Sequence, residues 1–157
     1  MKIKLIVTGK TDKPYLHDGI DRYSRRITHY LPFEFQVIPD VKNTRNMSES
    51  VQKEKEGDSL LARLGPGDEL ILLDERGKTF TSLEFARFLE KKMLGGTKSL
   101  IFAIGGPYGF SERVDEAAAL KISLSKMTFS HQMVRLIFTE QLYRALTILK
   151  GEPYHHA

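Results

Sequence analysis

The residues that first suggest chemistry are three glycines that follow an apolar run in the segment SLIFAIGGPYGFSERV, residues 99–114. A strand, a glycine-bearing loop and a helix in this order hold a nucleotide-like ligand in many proteins, because glycine lets the backbone approach it closely. The glycine spacing does not match G-x-G-x-x-G, and a P-loop ending at Gly77-Lys78-Thr79 would need a glycine where the chain has Leu72. The segment therefore either binds a ligand in another way or is a tight strand-to-helix connection.

A second segment, ISLSKMTFSHQMVR (residues 122–135), runs from a short strand through a polar loop into a long helix. Met127 and Phe129 lie on the loop itself. Apolar side chains on a loop usually fold inward as part of the core. The alternative is that they form walls for a flat aromatic ring, whose edge would be recognised by loop N–H and C=O groups.

The sequence contains no motif that is typical of a metal site or of a catalytic nucleophile. The five histidines, at positions 17, 29, 131, 155 and 156, do not have the spacing of a ligand motif such as H-E-x-x-H. The chain has no cysteine and no G-x-S-x-G elbow. If the protein is an enzyme, we expect it to position a reactive cofactor that carries the difficult chemistry.

The elements that position these segments alternate between strand and helix. Apolar periodicity predicts strands at 2–9, 33–39, 69–74, 99–106 and 122–125, and helices at 15–30, 46–64, about 82–94, 111–120 and 131–150. Thr81 with Glu84, and Asn46 with Glu49, are spaced as capping boxes, and Ser130 is expected to cap the last helix. This pattern predicts one α/β domain, residues 1–157, with a mainly parallel sheet flanked by helices.

Ligands in such sheets bind beyond the carboxyl ends of the strands. The candidate loops are therefore those after Leu73-Asp74, after Ile104 and after Ser123-Leu124.

Composition narrows the class of protein. The formal net charge of the 157 residues is +4, and the two ends of the chain are basic while residues 47–120 are acidic overall. This distribution suits a protein that contacts a polyanion such as nucleic acid. The lack of cysteine excludes disulfides and thiolate metal sites, and no apolar run approaches the ~18 residues of a membrane span. We therefore expect a cytoplasmic protein.

The segments IGGPYG, ISLSKMTFSHQMVR, EQLYRA and YHH, in this order, resemble the RlmH family, as do the IVTGK start and the LLDERGK segment. These are SPOUT-class methyltransferases that modify N3 of a pseudouridine in 23S ribosomal RNA. The resemblance covers essentially the whole chain. It implies a C-terminal trefoil knot, a homodimer in which one subunit's tail completes the other's site, and a preference for the assembled ribosome.

The resemblance also implies that S-adenosylmethionine binds in the knotted loops. The corresponding cofactor-binding residues are Leu73, Gly105, Gly106, Leu124, Ser125, Lys126, Met127, Thr128 and Phe129. The two glycines would let the backbone approach the ligand, and the apolar members would enclose adenine. Residues 125–128 would present backbone groups to its edge. The methyl group of a sulfonium is already electrophilic, so no metal is expected.

The expected catalytic residues are Tyr154, His155 and His156, because a histidine suits proton transfer near neutral pH and the acceptor nitrogen must lose a proton. The alternative is a frayed terminus with no role. Many relatives carry Lys or Arg where this chain has His156, and proline where it has Ser130.

The candidate contacts to RNA phosphates are Arg22, Arg25, Arg26, Arg135 and Arg144, with Lys10 beside them. For the last helix the alternative is ordinary solvated charge. Two other functions stay open from the sequence: a knotted tRNA ribose methyltransferase, and a non-catalytic ribosome-associated binding module.

Overall fold

The computed structural model describes residues 1–156; Ala157, the last residue of the predicted domain, lies outside the described residues. The strands are Lys2–Thr8 (β1), Phe33–Ile38 (β2), Asp68–Thr79 (β3), Ser99–Ile104 (β4) and Leu120–Ser123 (β5). The helices are Pro14–Ile27 (α1), Glu49–Leu61 (α2), Ser82–Leu94 (α3), Glu112–Ala117 (α4) and Met133–Leu149 (α5). Each element expected from the sequence is present.

The strands form a parallel sheet in the order β2-β1-β4-β3-β5. Alternate residues of β1 face opposite sides, so Ile3 and Leu5 belong to one apolar cluster and Ile6 to another. Helices α1, α3 and α5 cover the first face and α2 and α4 cover the second. The predicted parallel α/β architecture is confirmed, and the trefoil knot stays a prediction.

Of the two capping boxes predicted from the sequence, one is present in the structure and the other is not. Thr81 and Glu84 form the expected capping box, and Gly96, at φ +81°, closes α3. The predicted box at Asn46 is wrong, because α2 begins only at Glu49. Its cap is Ser48, whose hydroxyl accepts a hydrogen bond from the N–H three residues later. Asn46 instead ends a 3-10 turn, and two extended residues, Met47 and Ser48, separate that turn from the helix.

Strand β3 continues beyond the predicted end at residue 74 and pairs with β5 on both sides of a bulge between Leu73 and Lys78. Gly77 makes this possible: a Cβ at this position would lie 2.6 Å from the carbonyl carbon of Lys121. The close approach fixes β5 against β3, and β5 leads directly into the loop that carries Met127.

Candidate active site

The three candidate loops meet in one cleft of about 720 Å³ at the carboxyl ends of β3, β4 and β5. The lining residues are 73–76, 104–110, 122–125 and 127–131, together with Lys53 and Val134. Parallel strands place their carboxyl ends at one edge of the sheet, so loops far apart in sequence become neighbours. The sequence predicted this location.

The loop after β4 folds back on itself. The N–H of Gly109 donates to the carbonyl of Gly106 at 3.1 Å, and Gly109 has φ +81°. A Cβ on Gly105 would lie 3.2 Å from the backbone of Gly109. A Cβ on Gly106 would lie 2.6 Å from a carboxylate oxygen of Glu56, behind the loop. Contacts within the protein therefore leave little room for a side chain at either glycine, in addition to any approach of a ligand.

Met127 and Phe129 are not core residues. Their side chains are 76% and 36% exposed, and both line the cleft. Leu73 and Ile104 lie at its base and belong to the core. Exposed apolar side chains facing an apolar base are typical of a ligand pocket rather than of a connecting loop. Lys126 is exposed and lies outside the cleft lining.

Hydroxyl groups hold the β5–α5 loop in shape. Ser123 Oγ donates to the carbonyl of Ser125 at 2.7 Å, and Ser125 Oγ accepts from the N–H of Met127 at 2.9 Å. Thr128 Oγ1 donates to the Glu75 carboxylate at 2.6 Å, which links this loop to the end of β3. Two of the backbone groups expected at the edge of an adenine ring therefore already have partners.

Two charged residues of the cleft lining, Asp74 and Arg76, form an ion pair. Burial opposes the ionisation of Asp74, but hydrogen bonds from Arg76 outweigh it, so the pKa of Asp74 is lowered. The same pairing raises the pKa of Arg76. Within residues 1–156 there is no group of three or more His, Cys, Asp or Glu side chains arranged to hold a metal ion.

The C-terminal tail packs on α1 and α5 and does not line the cleft of its own chain. The Tyr154 ring lies edge-on to Tyr143, with centroids 4.8 Å apart, and the Arg144 guanidinium is 4.7 Å from its centroid. His155 Nδ1 lies 3.1 Å from Arg144 Nη1, while His156 is exposed. Burial, and then a hydrogen bond with Tyr23, raise the pKa of Tyr154, so its phenol stays neutral.

The arginines of α1 and α5 differ in what they contact. Arg25 is paired with Asp21 at 2.8 Å, and Arg26 lies over the rings of Tyr23 and Tyr143. Arg22 is exposed beside an apolar groove of about 450 Å³ between α1 and α5. Further along α5, Arg144 donates from Nε to Glu140 at 2.8 Å.

Arg135 is a correction to the predicted phosphate contacts. Its side chain is 0% exposed, and the guanidinium donates to the carbonyls of Thr8 and Gly9, at 2.8 Å each. It also donates to the carbonyl of His131 and the hydroxyl of Thr11. Arg135 therefore cannot reach RNA; it ties the start of α5, next to the cleft, to the loop that follows β1.

We expect Arg135→Ala to lower the free energy of unfolding by about 3 kcal/mol, because buried carbonyls would lose their donors. Urea unfolding would measure the loss. Arg113→Ala is the control, because Arg113 is paired with Asp58 at the surface and should contribute less than about 1 kcal/mol. Equal losses for the two variants would contradict a structural role for Arg135.

Two residues near the cleft were not singled out from the sequence. Glu56 is buried behind the glycine loop, and Lys53, one turn earlier on α2, lines the cleft. A signal for Glu56 was present, because it lies four residues before the buried Leu60 and so shares its helix face. No comparable signal marked Lys53.

A parallel α/β sheet with three loops around a cleft at its carboxyl edge defines a class of ligand-binding α/β proteins, and comparison with known proteins gives the family. The family model described as "Predicted SPOUT methyltransferase" matches residues 1–155, and the chain belongs to this family. Among curated relatives, it is 64% identical to the ribosomal RNA large subunit methyltransferase H of Parabacteroides distasonis. The proteins of the same name from Flavobacterium johnsoniae and Porphyromonas gingivalis are 59% and 58% identical. Each match covers 99% of both chains.

No helix within residues 1–156 combines the length and the apolar character that a membrane span requires.

Proposed function

We propose that this protein transfers a methyl group from S-adenosylmethionine to N3 of a pseudouridine in 23S ribosomal RNA, acting as a homodimer on the assembled ribosome in the cytoplasm. The observation that carries the proposal is the cleft with exposed Met127 and Phe129, in a chain 64% identical to a ribosomal RNA large subunit methyltransferase.

The residues of the cleft fit an adenosyl ligand. A volume of about 720 Å³ lies within the range of small-molecule sites, ~300–1,000 Å³. Leu73, Leu124, Met127 and Phe129 all line the cleft and offer apolar surface that could enclose a purine ring. When bound, S-adenosylmethionine supplies a methyl carbon that is electrophilic without a metal. The protein then contributes by holding the acceptor nitrogen in line, which can supply on the order of 7–11 kcal/mol at best.

The acceptor nitrogen must also lose its proton, and the cleft of a single chain is not lined by any of the three tail residues. A second copy could bring its tail to this cleft. The groove between α1 and α5 offers a partly apolar surface for such a copy, and the tail packs beside it. It is lined by Leu136, Ile137 and Tyr23 together with the charged residues Arg22, Arg26 and Glu140. In the dimer a histidine of the tail, His155 or His156, would accept the N3 proton or stabilise the developing anion, and Tyr154 would hold the tail in place.

RNA phosphates would contact the cations that remain accessible. These are Lys10 and Arg25, which lie outside the groove lining. Arg22 and Arg26 line the groove and would contact phosphates with the parts that the second copy leaves uncovered, while Arg144 contributes through the tail that it holds. Such contacts position RNA and do not read its sequence. A domain of this size would therefore rely on the preformed surface of the ribosome for specificity.

The test is methylation of ribosomes from a strain that lacks the modification, followed by nucleoside digestion and mass spectrometry. The proposal predicts methylpseudouridine in 23S RNA. A ribose methyl ether would instead indicate a ribose methyltransferase. If calorimetry detected no S-adenosylmethionine binding at millimolar concentration, the protein would be a binding module.

A further inference from the structure

Helix α2 places a buried carboxyl group directly behind the glycine loop of the cleft. Glu56 is 7% exposed, and its Oε2 lies 2.6 Å from the position that a Cβ on Gly106 would take. A small cavity of about 10 Å³, roughly the space of one water molecule, lies between Glu56 and the loop residues Gly105 and Phe110. The same loop residues also line the cleft, so the cavity and the cleft adjoin at the glycine loop.

The packing of α2 leaves this carboxyl group little freedom to move away. The next residue, Gly57, lies so close to α4 that a Cβ would be 2.6 Å from Ser111 Oγ and 2.9 Å from Val114. The helix is therefore pressed against the segment that follows the glycine loop. Glu56 then projects from a fixed backbone toward Gly106.

The surroundings of Glu56 favour its neutral form. Oε2 accepts a long hydrogen bond from Gln52 Nε2, at 3.5 Å, whereas Oε1 has no hydrogen-bond partner among the described residues. Burial, and then the negative charge of Asp40, raise the pKa of Glu56, with Gln52 opposing them. Lys53 lines the same cavity, yet no ion pair joins it to Glu56 in the described part of the chain.

We propose that Glu56 is a positioning residue whose buried carboxyl group supports the Gly105–Gly109 loop in the shape that binds the methyl donor. Its unpartnered oxygen faces the cavity, where a hydrogen bond to the loop, direct or through one water molecule, would hold the loop from behind. Ionisation would place an unpaired charge against the loop and weaken the support. The inference rests on the proposed use of the cleft and adds a residue outside it.

The experiment compares the full-length protein with Glu56→Gln and Glu56→Leu, and uses Glu54→Gln on the same helix as the matched control. S-adenosylmethionine affinity is measured by calorimetry from about pH 5 to about pH 9, which spans the range that buried carboxyls reach. We expect the affinity of the wild-type protein to fall as pH rises through the folded-state pKa of Glu56. Glu56→Gln should bind at least as tightly at every pH, without this dependence, because its amide mimics the neutral acid.

Glu56→Leu removes the polar contact while it keeps the bulk. We expect it to raise the KM for the donor about tenfold with kcat unchanged, because one hydrogen bond is lost outside the reacting atoms. Glu54→Gln should have the same KM for the donor and the same kcat as the wild type.

Stability provides a second readout with a defined sign. Because burial raises the folded-state pKa of Glu56 above that of the unfolded chain, its stabilising contribution is fully present below the unfolded-state pKa. That contribution is lost as pH rises through the folded-state pKa. Glu56→Gln should therefore be more stable than the wild type at neutral pH, and the difference should close in acid.

Identical pH dependence of donor binding in the wild type and Glu56→Gln would overturn the inference, as would wild-type donor affinity in Glu56→Leu. If Glu56→Leu does not fold, the pH profile of Glu56→Gln decides. Failure of the wild-type protein to bind the donor at any pH would remove the proposed function as well. Normal wild-type binding with no effect of Glu56 would remove only this inference.

Discussion

Removal of the tail from Tyr154 onward is expected to reduce methyl transfer to ribosomal RNA by at least about 100-fold while donor affinity stays unchanged. Proton transfer by a positioned side chain contributes roughly 10²–10⁴-fold to a rate, and the tail carries two histidines. The donor cleft of the same chain is not lined by the tail, so the deletion leaves it intact. Single-turnover methylation of ribosomes and calorimetric titration of S-adenosylmethionine measure the two effects separately.

Single substitutions divide the roles within the tail. His155→Ala and His156→Ala test proton transfer separately, and Lys150→Ala, at an exposed position just before the tail, is the control. Since the pKa of Tyr154 is raised, its phenol is a poor base, and Tyr154→Phe should retain the pH profile of the wild type. Full activity of the truncated protein would remove the tail from the mechanism.

Mixing two inactive variants tests whether the tail acts on a partner. A tail-deleted chain would be combined with a chain whose cleft no longer binds the donor. If the tail of one subunit completes the cleft of the other, mixed dimers restore part of the activity. No restoration, in mixtures shown to contain mixed dimers, would place the action of the tail within its own subunit.

The architecture and the position of the cleft could be predicted because both depend on local patterns. Alternation in β2 and continuous apolar runs in the later strands indicate a mainly parallel sheet flanked by helices. A parallel sheet then places the loops after β3, β4 and β5 at one edge without further information. Only the ends of elements changed, as at Asn46, where the helix begins later and is capped two residues further on by Ser48.

The roles of individual charged residues could not be predicted in the same way. Arg135 and Arg144 are nine positions apart on α5 and therefore face opposite sides, but the sequence does not say which side is buried. The structure buries Arg135, where backbone carbonyls of a distant loop satisfy it, and leaves Arg144 to hold the tail. A hydrogen bond to a backbone carbonyl cannot be predicted from residue types, because every residue carries a carbonyl group. The spacing of Glu56 and Leu60 places both residues on one face of α2, but the sequence does not show that Glu56 lies against Gly106. Only the fold brings these two residues together.

Replacing both Met127 and Phe129 by alanine is expected to weaken S-adenosylmethionine binding about 100-fold with little change in stability. Met127 is 76% and Phe129 36% exposed in the free protein, so each has apolar surface left that a ligand entering the cleft would bury. Burial of such a side chain is worth at least about 1.5 kcal/mol, and two of them give about 3 kcal/mol, or roughly two orders of magnitude in affinity. The free energy of unfolding should change by less than about 0.5 kcal/mol, because no folded-state contact of comparable size is lost.

The matched control is Leu94→Ala, which removes an 81% exposed apolar side chain from the end of α3, outside the cleft lining. It should change neither donor affinity nor stability. Calorimetry gives the affinity and urea unfolding the stability, so a loss of binding can be separated from a loss of fold. A double variant that binds the donor as the wild type does would show that these side chains do not enclose the ligand. A double variant destabilised by several kcal/mol would show that they pack as core, and either result would contradict the donor site proposed for this cleft.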